Sequence, residues 1–204
     1  NFRPPHKKER NHRISGYSAL HCAGGMSKGE DGGLVFSQHI KFLNREPVAE
    51  WHTENLDQVM AGRGLKRHLS LYRYWQKKAG ARDMPSRADI DPVQIPTLLP
   101  NVFLADVLRG PGKPFDYRYR LIGTAIVDIE GEWTNSVLGE VLPDREKLHL
   151  LWEQYDAAAN GIASFREDRV KWLEDERVLY EVLLLPLREE GKEVNMLLGM
   201  ASRG

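Results

Sequence analysis

The sequence predicts an α+β fold in which helices cover one face of a five-stranded antiparallel sheet. Two segments in the middle of the chain and three near its end alternate between apolar and polar side chains, with the period of a β-strand. Residues with helical spacing separate the two groups, and short polar turns join the strands within each group. Two strands, a helical insertion and a three-stranded meander form such a sheet.

Composition restricts the class of protein. The chain has 204 residues, of which 41% are hydrophobic and 28% charged, as in a soluble globular protein with one main domain. The most apolar run, Val178–Leu187, contains Glu181 and Pro186 and is too short to span a membrane. Cys22 is the only cysteine, and no signal-peptide pattern opens the chain. We therefore expect a cytoplasmic protein.

Charge and histidine spacing argue against two kinds of partner. The 29 basic residues balance the 29 acidic ones, so we expect no nucleic-acid partner. Residues 1–25 hold five lysines and arginines against one acid, and this arm could touch nucleic acid or anionic lipid, although we expect a disordered terminus. Six of the seven histidines lie at or before His68 with no zinc-ligand spacing, so we predict no metal site.

The chain divides near residue 65. Glycine pairs interrupt the preceding residues, which show no sustained period, so we predict a poorly ordered extension over 1–64 and a domain over 65–204. Offsets of four, three and three predict a helix over residues 65–79 that Gly80 ends. Its apolar stripe consists of Leu65, Leu69, Tyr72 and Trp75.

The central elements follow in order. Asp91-Pro92 starts a short helical turn, and Val102–Val107 forms a hairpin with the strand that ends at Leu121. Alternation places one apolar set of side chains on a single face of that second strand, namely Phe115, Tyr117, Tyr119 and Leu121. Thr124 then caps a helix over Ala125–Glu130, and a turn follows around Asn135–Glu140.

A longer helix and the last three strands complete the domain. The helix opens at Pro143-Asp144, ends at Asn160-Gly161 and turns one apolar side toward the sheet, formed by Leu148, Leu151, Trp152, Tyr155 and Ala159. The strands are predicted over Ala163–Leu173, Val178–Leu187 and Val194–Ala201. In the last strand Met196 shares a face with Val194, Leu198 and Met200.

Four stretches within residues 66–201 follow one another along the chain, namely Leu71–Trp75, Met84–Pro92, Ile95–Leu104 and Tyr119–Thr124. In this order they resemble the bacterial PAS-like family of small single-domain proteins. The resemblance implies a PAS fold, with a five-stranded antiparallel sheet, helices over one face and a pocket between them. It supplies no catalytic residues, and residues 1–64 lie outside it.

PAS domains bind haem, flavin or small metabolites, or pair with proteins, so the residues must select the function. A flavin photosensor of this fold needs a reactive cysteine in the helical layer, and none follows Cys22. We expect a non-enzymatic sensory or interaction module that signals through a small molecule or a protein partner, and no particular cofactor is indicated. The candidate pocket residues are Tyr119, Leu121, Ile126, Trp133, Trp152, Tyr155, Tyr180 and Met196.

Two alternatives involve chemistry. His149 lies on the helix where haem-binding PAS proteins place their ligand, but it is about 100° around an ideal helix from Leu148 in the apolar stripe. A small isomerase would use an aspartate base and a tyrosine donor in an apolar cavity, and the sequence offers Asp106, Asp128, Tyr119 and Tyr180. No nucleophile and base are paired, so we expect no enzyme.

The stripe on the first helix raises the question of self-association. PAS-like domains often pair through the helix before the first strand, and a two-fold dimer would bury Leu65, Leu69, Tyr72 and Trp75 of both copies. Alternatively the stripe packs on the protein's own sheet, because large exposed apolar patches are rare on monomers.

Overall fold

The computed structural model describes residues 50–112, 115–142, 145, 148–172 and 176–204. Predictions for the basic arm, for Cys22, for the four histidines before residue 50 and for a helix start at Pro143-Asp144 lie outside the described residues.

Within the described residues, the sheet has six antiparallel strands in the order β1-β4-β5-β6-β2-β3. They are β1 (Glu50–His52), β2 (Val102–Leu108), β3 (Asp116–Ile122), β4 (Ser164–Trp172), β5 (Glu176–Leu187) and β6 (Met196–Arg203). The prediction of five strands was therefore short by one. The additional strand, β1, pairs with β4 and comes from residues that we had assigned to the extension. Three residues are too few to show a period in sequence.

Five α-helices lie in the described part of the chain. They are α1 (Leu56–Gly62), α2 (Lys66–Ala79), α3 (Thr124–Glu130), α4 (Leu138–Val141) and α5 (His149–Ala159). The predicted helix over 65–79 is confirmed as α2. Gly123 rather than Thr124 is the N-cap of α3, because Thr124 is already the first helical residue.

Helices pack against both faces of the sheet. The face predicted to be covered carries Phe103 and Tyr119, whose rings contact Tyr155 of α5 and Trp133 respectively. On the opposite face, the His68 ring of α2 packs edge-on against Phe165, with 5.8 Å between ring centroids. This second layer lets residues 182–187 of β5 and 197–201 of β6 be apolar on both sides, and these residues are buried.

The buried stripe of α2 differs from the predicted one. His68, Leu71, Trp75 and Ala79 are buried, whereas Leu65, Leu69 and Tyr72 are only partly buried. The Trp75 indole nitrogen donates a hydrogen bond to the Pro186 carbonyl at 2.9 Å, so Trp75 serves the protein's own core. Beside α2 lies α1, which buries Leu56 and Met60. The alternative of internal packing therefore holds for Trp75.

A β-bulge in β3 overturns the predicted facing of Leu121. Leu104 of β2 lies opposite Leu121, but the next residue, Ala105, lies opposite Tyr119, so Arg120 is the additional residue. A bulge reverses the alternation beyond it. Tyr119 consequently faces the α5 side, while Leu121 faces the other side with 44% of its surface exposed.

Gly123 fixes the path of the chain from β3 into α3. Its N–H donates a hydrogen bond to the Val102 carbonyl at 2.8 Å. A Cβ atom here would lie 2.3 Å from the Pro100 carbonyl oxygen and 2.4 Å from that of Leu99, so a residue larger than glycine does not fit. The close backbone approach places α3 over the sheet.

No helix within the described residues is long and apolar enough to cross a membrane.

Burial of His68 makes stability depend on pH. Desolvation lowers the pKa of His68 from 6.5 to about 4, against a smaller opposing effect of a hydrogen bond with the Glu181 backbone. The His68 side chain is therefore protonated below about pH 6.5 in the unfolded chain, but only below about pH 4 in the folded chain. We expect the free energy of unfolding to fall by roughly 3 kcal/mol across this interval, relative to His68→Leu. Urea titrations of both proteins from pH 7 to 4 measure the difference, and parallel curves would contradict the assignment.

Candidate functional site

A cavity of about 30 Å³ lies between the sheet and the helical layer. Since a water-sized molecule needs at least about 10 Å³, the cavity has room for about two of them. Its walls come from β2 to β6, from α3 and α5, and from Trp133 and Leu142, which lie between those two helices in the chain. The lining residues are Phe103, Tyr119, Ile122, Ile126, Glu130, Trp133, Leu142, Leu151, Tyr155, Arg166, Tyr180, Val182 and Ala201.

One wall is aromatic. The Phe103 ring lies edge-on to Tyr119 at 5.7 Å between centroids, and the Trp133 ring lies 6.0 Å from Tyr119. The hydroxyl groups of Tyr119 and Tyr155 are hydrogen-bonded at 2.7 Å. Burial, followed by the nearby Tyr155, raises the pKa of Tyr119 well above its ordinary value. The phenol is therefore neutral at physiological pH and can take part only in hydrogen bonding.

A carboxylate lies at the end of α3. The Tyr180 hydroxyl of β5 donates a hydrogen bond to Glu130 Oε1. Tyr180 is buried and Glu130 is partly buried, so the pair joins the interior of the cavity to its edge. The helix and the sheet are thereby connected by one charge-assisted hydrogen bond.

A buried cation lies on β4. Arg166 is 2% exposed, and its Nε atom donates a hydrogen bond to Gln154 Oε1 of α5 at 2.9 Å. Its guanidinium also forms an ion pair with Asp168, two residues further along the same face. Gln154 in turn donates to the Val182 carbonyl at 3.2 Å. The cavity wall therefore contains a buried positive charge that Asp168 neutralises, and buried ions need such a partner.

The structure brings together five of the eight predicted pocket residues. Those that line the cavity are Tyr119, Ile126, Trp133, Tyr155 and Tyr180. Leu121 lies on the other face because of the bulge. Met196 also faces away, since it pairs with Asp106 and Leu187 on that other face. Trp152 is buried outside the cavity lining, against Tyr117.

Eight of the residues that line the cavity were not among the pocket residues predicted from the sequence. They are Phe103, Ile122, Glu130, Leu142, Leu151, Arg166, Val182 and Ala201. Val182 and Leu151 could have been found, because they share a predicted face with Tyr180 and Tyr155. Glu130 and Arg166 carry no such signal, since charged residues in sequence usually indicate a solvated surface.

The structure does not bring together the residues that a haem site or an isomerase site would need. His149 is exposed at the first turn of α5 and does not line the cavity, which is also far too small for haem. Asp106 forms an ion pair with Arg120 on the face of the sheet opposite Tyr119, and Asp128 is exposed. Among the described residues, no three histidine, cysteine or acidic side chains are placed to hold a metal ion.

A comparison with protein families identifies the fold that this cavity belongs to. A family model described as a PAS domain matches residues 65–202. The chain belongs to the PAS domain family. The match confirms the resemblance seen in the sequence. It also begins after α1, so β1 and α1 lie outside the matched PAS domain. The bacterial origin that the resemblance implied stays a prediction.

Among solved structures, this PAS protein has a weak likeness to a sensory receptor. A protein described as an RNA-binding light-oxygen-voltage receptor is similar with a TM-score of 0.40 and 16% sequence identity. The match covers 57% of this chain and 34% of that one, about a third of its length. The prediction that nucleic acid is not a partner gains no support from these comparisons and stays a prediction. No curated protein matches the chain.

Proposed function

We propose that the protein is a non-enzymatic sensory module that binds a small molecule in the cavity between its sheet and its helical layer. Membership of the PAS family supports a sensory role. The observation that carries the proposal is the cavity itself, where five aromatic rings surround a few polar groups. Ligand sites generally combine apolar walls with a small number of placed polar groups.

The size and polarity of the cavity restrict its ligand. Room for about two water-sized molecules admits a very small ligand, and anything larger requires the walls to move. The Glu130–Tyr180 and Tyr119–Tyr155 pairs offer hydroxyl and carboxylate oxygens. Arg166 is already compensated by Asp168. We therefore propose a small ligand without net charge that accepts or donates one or two hydrogen bonds.

Protein association is the second route by which such a module could signal. Self-association through Leu65, Leu69 and Tyr72 stays a prediction, now without Trp75, which is buried against its own sheet. A cytoplasmic location is likewise a proposal, and it rests on the sequence argument alone.

Filling the cavity tests the proposed function. Ala201 is buried and lines the cavity, so Ala201→Val places two additional methyl groups there. Native mass spectrometry of protein purified from its own host should detect a small molecule with the wild type and at least tenfold less with Ala201→Val. The matched control is Ala163→Val, at a partly buried alanine outside the cavity lining. Absence of any bound molecule from the wild type, or equal loss in both variants, would argue against the cavity as the binding site.

A further inference from the structure

Four cations of α2 form no ion pair within the described residues. The stretch 58–82 contains seven lysines and arginines and no aspartate or glutamate. Three of the seven, Arg63, Arg73 and Arg82, form ion pairs with carboxylates from other parts of the chain. The remaining four form a basic patch, which consists of Lys66, Arg67, Lys77 and Lys78.

The basic patch extends along one side of α2 from end to end. Residues eleven positions apart in an α-helix are separated by three turns and differ by only about 20° in direction. Lys66 is therefore in line with Lys77, about 16 Å away along the helix axis. The same relation holds for Arg67 and Lys78. All but Lys78 are exposed, and the Nζ atom of Lys78 lies 5.5 Å from the centroid of the Tyr74 ring.

An exposed valine lies on a turn beside the basic patch. The Tyr74 hydroxyl of α2 donates a hydrogen bond to the Asp91 carbonyl at 3.2 Å and accepts one from the Asp91 N–H at 2.8 Å. The Asp91 carboxylate accepts the Val93 N–H at 3.0 Å, so this turn is fixed against the helix. Val93 is 81% exposed, more than any other large hydrophobic residue in the described ranges. The structure thus presents an apolar side chain next to a row of cations.

The opposite face of the molecule carries the opposite charge. Residues 124–160, which include α3, α4 and α5, contain eight acidic residues and two basic ones. They cover one face of the sheet, whereas α2 covers the other, where His68 contacts Phe165. Layers on opposite sides of a sheet are roughly 20 Å apart, more than the Debye length of about 8 Å at physiological salt. The balanced total charge therefore does not cancel the attraction of the basic patch for an anionic surface.

The surroundings of the basic patch argue against nucleic acid and protein as its partner. A major groove can admit a helix, but α1 packs beside α2, and the Asp91 turn is bonded to it through Tyr74. Single-stranded nucleic acid stacks on exposed aromatic rings, yet Tyr74 is partly buried and lies below Lys78. Protein interfaces are depleted in lysine, whereas three of the four cations are lysines. A lipid surface needs neither groove nor ring, because each lysine or arginine near it adds to the attraction.

We propose that the basic patch and Val93 form a docking surface for an anionic lipid membrane. The cations contact lipid phosphate groups, and Val93 enters the headgroup layer, as apolar side chains beside lysines do in interfacial helices. The acidic helices are repelled by the same surface, so the domain binds in one orientation, with the cavity side toward water. The proposal does not depend on a ligand in the cavity.

Vesicle sedimentation with the full chain tests the contribution of charge. At low salt the wild type should sediment with vesicles of phosphatidylglycerol and phosphatidylcholine, but not with phosphatidylcholine alone. Each cation contributes roughly fivefold to such binding, so replacing Lys66, Lys77 and Lys78 together with Gln should weaken it at least about 50-fold. Arg at the same three positions is the matched control and should preserve binding. Equal binding of both triple variants, or no binding of the wild type to the anionic vesicles, would overturn the proposal.

The valine is tested on the same vesicles. Val93→Ser should weaken binding roughly fivefold, because an apolar side chain no longer leaves water. Ile162→Ser is the matched control, since Ile162 is 45% exposed and follows α5 on the acidic side, and it should bind like the wild type. Equal effects of the two substitutions would contradict the docking of Val93. If the protein binds a single-stranded RNA oligomer and not the anionic vesicles, the basic patch serves nucleic acid and the membrane proposal is wrong.

Discussion

Arg166→Met should destabilise the protein by about 3 to 5 kcal/mol, because it removes a buried charge that compensates the buried carboxylate of Asp168. Arg166 and Asp168 are 2% and 5% exposed and form an ion pair on one face of β4. Met fills a similar volume but provides no donor for Asp168 or for the amide oxygen of Gln154. Urea denaturation followed by circular dichroism measures the change in the free energy of unfolding.

A double variant separates charge from packing. Arg166→Met combined with Asp168→Leu removes both charges, and buried ion pairs replaced by apolar residues often give proteins as stable as the original. We expect the double variant to recover most of the loss. A single variant within about 1 kcal/mol of the wild type, or a double variant no better than the single one, would show that this pair is not buried as described.

Trp152→Ala should cost about 3 to 5 kcal/mol as a large-to-small change in the core. Trp152 is 3% exposed on α5, its ring lies 6.0 Å from that of Tyr117, and the Arg145 guanidinium lies 3.5 Å from its ring centroid. The substitution removes both contacts and leaves a cavity beneath the helix. Thermal and urea unfolding both measure the loss.

The neighbouring residue provides the control. Glu153 is exposed on the outer side of the same helix, so Glu153→Ala should change stability by no more than about 0.5 kcal/mol. Similar small effects of both substitutions would place α5 with a different face toward the sheet. Since Trp152 does not line the cavity, a ligand should still bind to whatever Trp152→Ala protein remains folded.

Local periodicity predicted much of the PAS domain. The stripe around Trp152 and Tyr155 placed α5 on the sheet with the correct side inward, and the alternation around Tyr180 gave β5 its cavity-facing set. These signals are local, because each residue's direction depends only on its neighbours in the same helix or strand. The same argument found five aromatic and aliphatic residues of the cavity.

Other features depend on residues that are distant in sequence. The bulge at Arg120 turns Leu121 away from the cavity, and it is defined only by the partner strand. The strand β1 exists because β4 offers an edge to it. Arg166 can line the cavity because Asp168 and Gln154 compensate its charge. Glu130 can do so because it accepts a hydrogen bond from Tyr180.

The sequence by itself therefore determined the order of the helices and strands from residue 65 onward, the family and five of the eleven apolar and aromatic residues that line the cavity. Only the tertiary structure decided which polar groups line the cavity beside its apolar residues. It also decided which helix covers the opposite face of the sheet and how residues before position 65 attach to the sheet. The physical reason is that apolar burial repeats along each element with a fixed period, whereas a buried charge or an added edge strand is stable only when a particular distant partner compensates it.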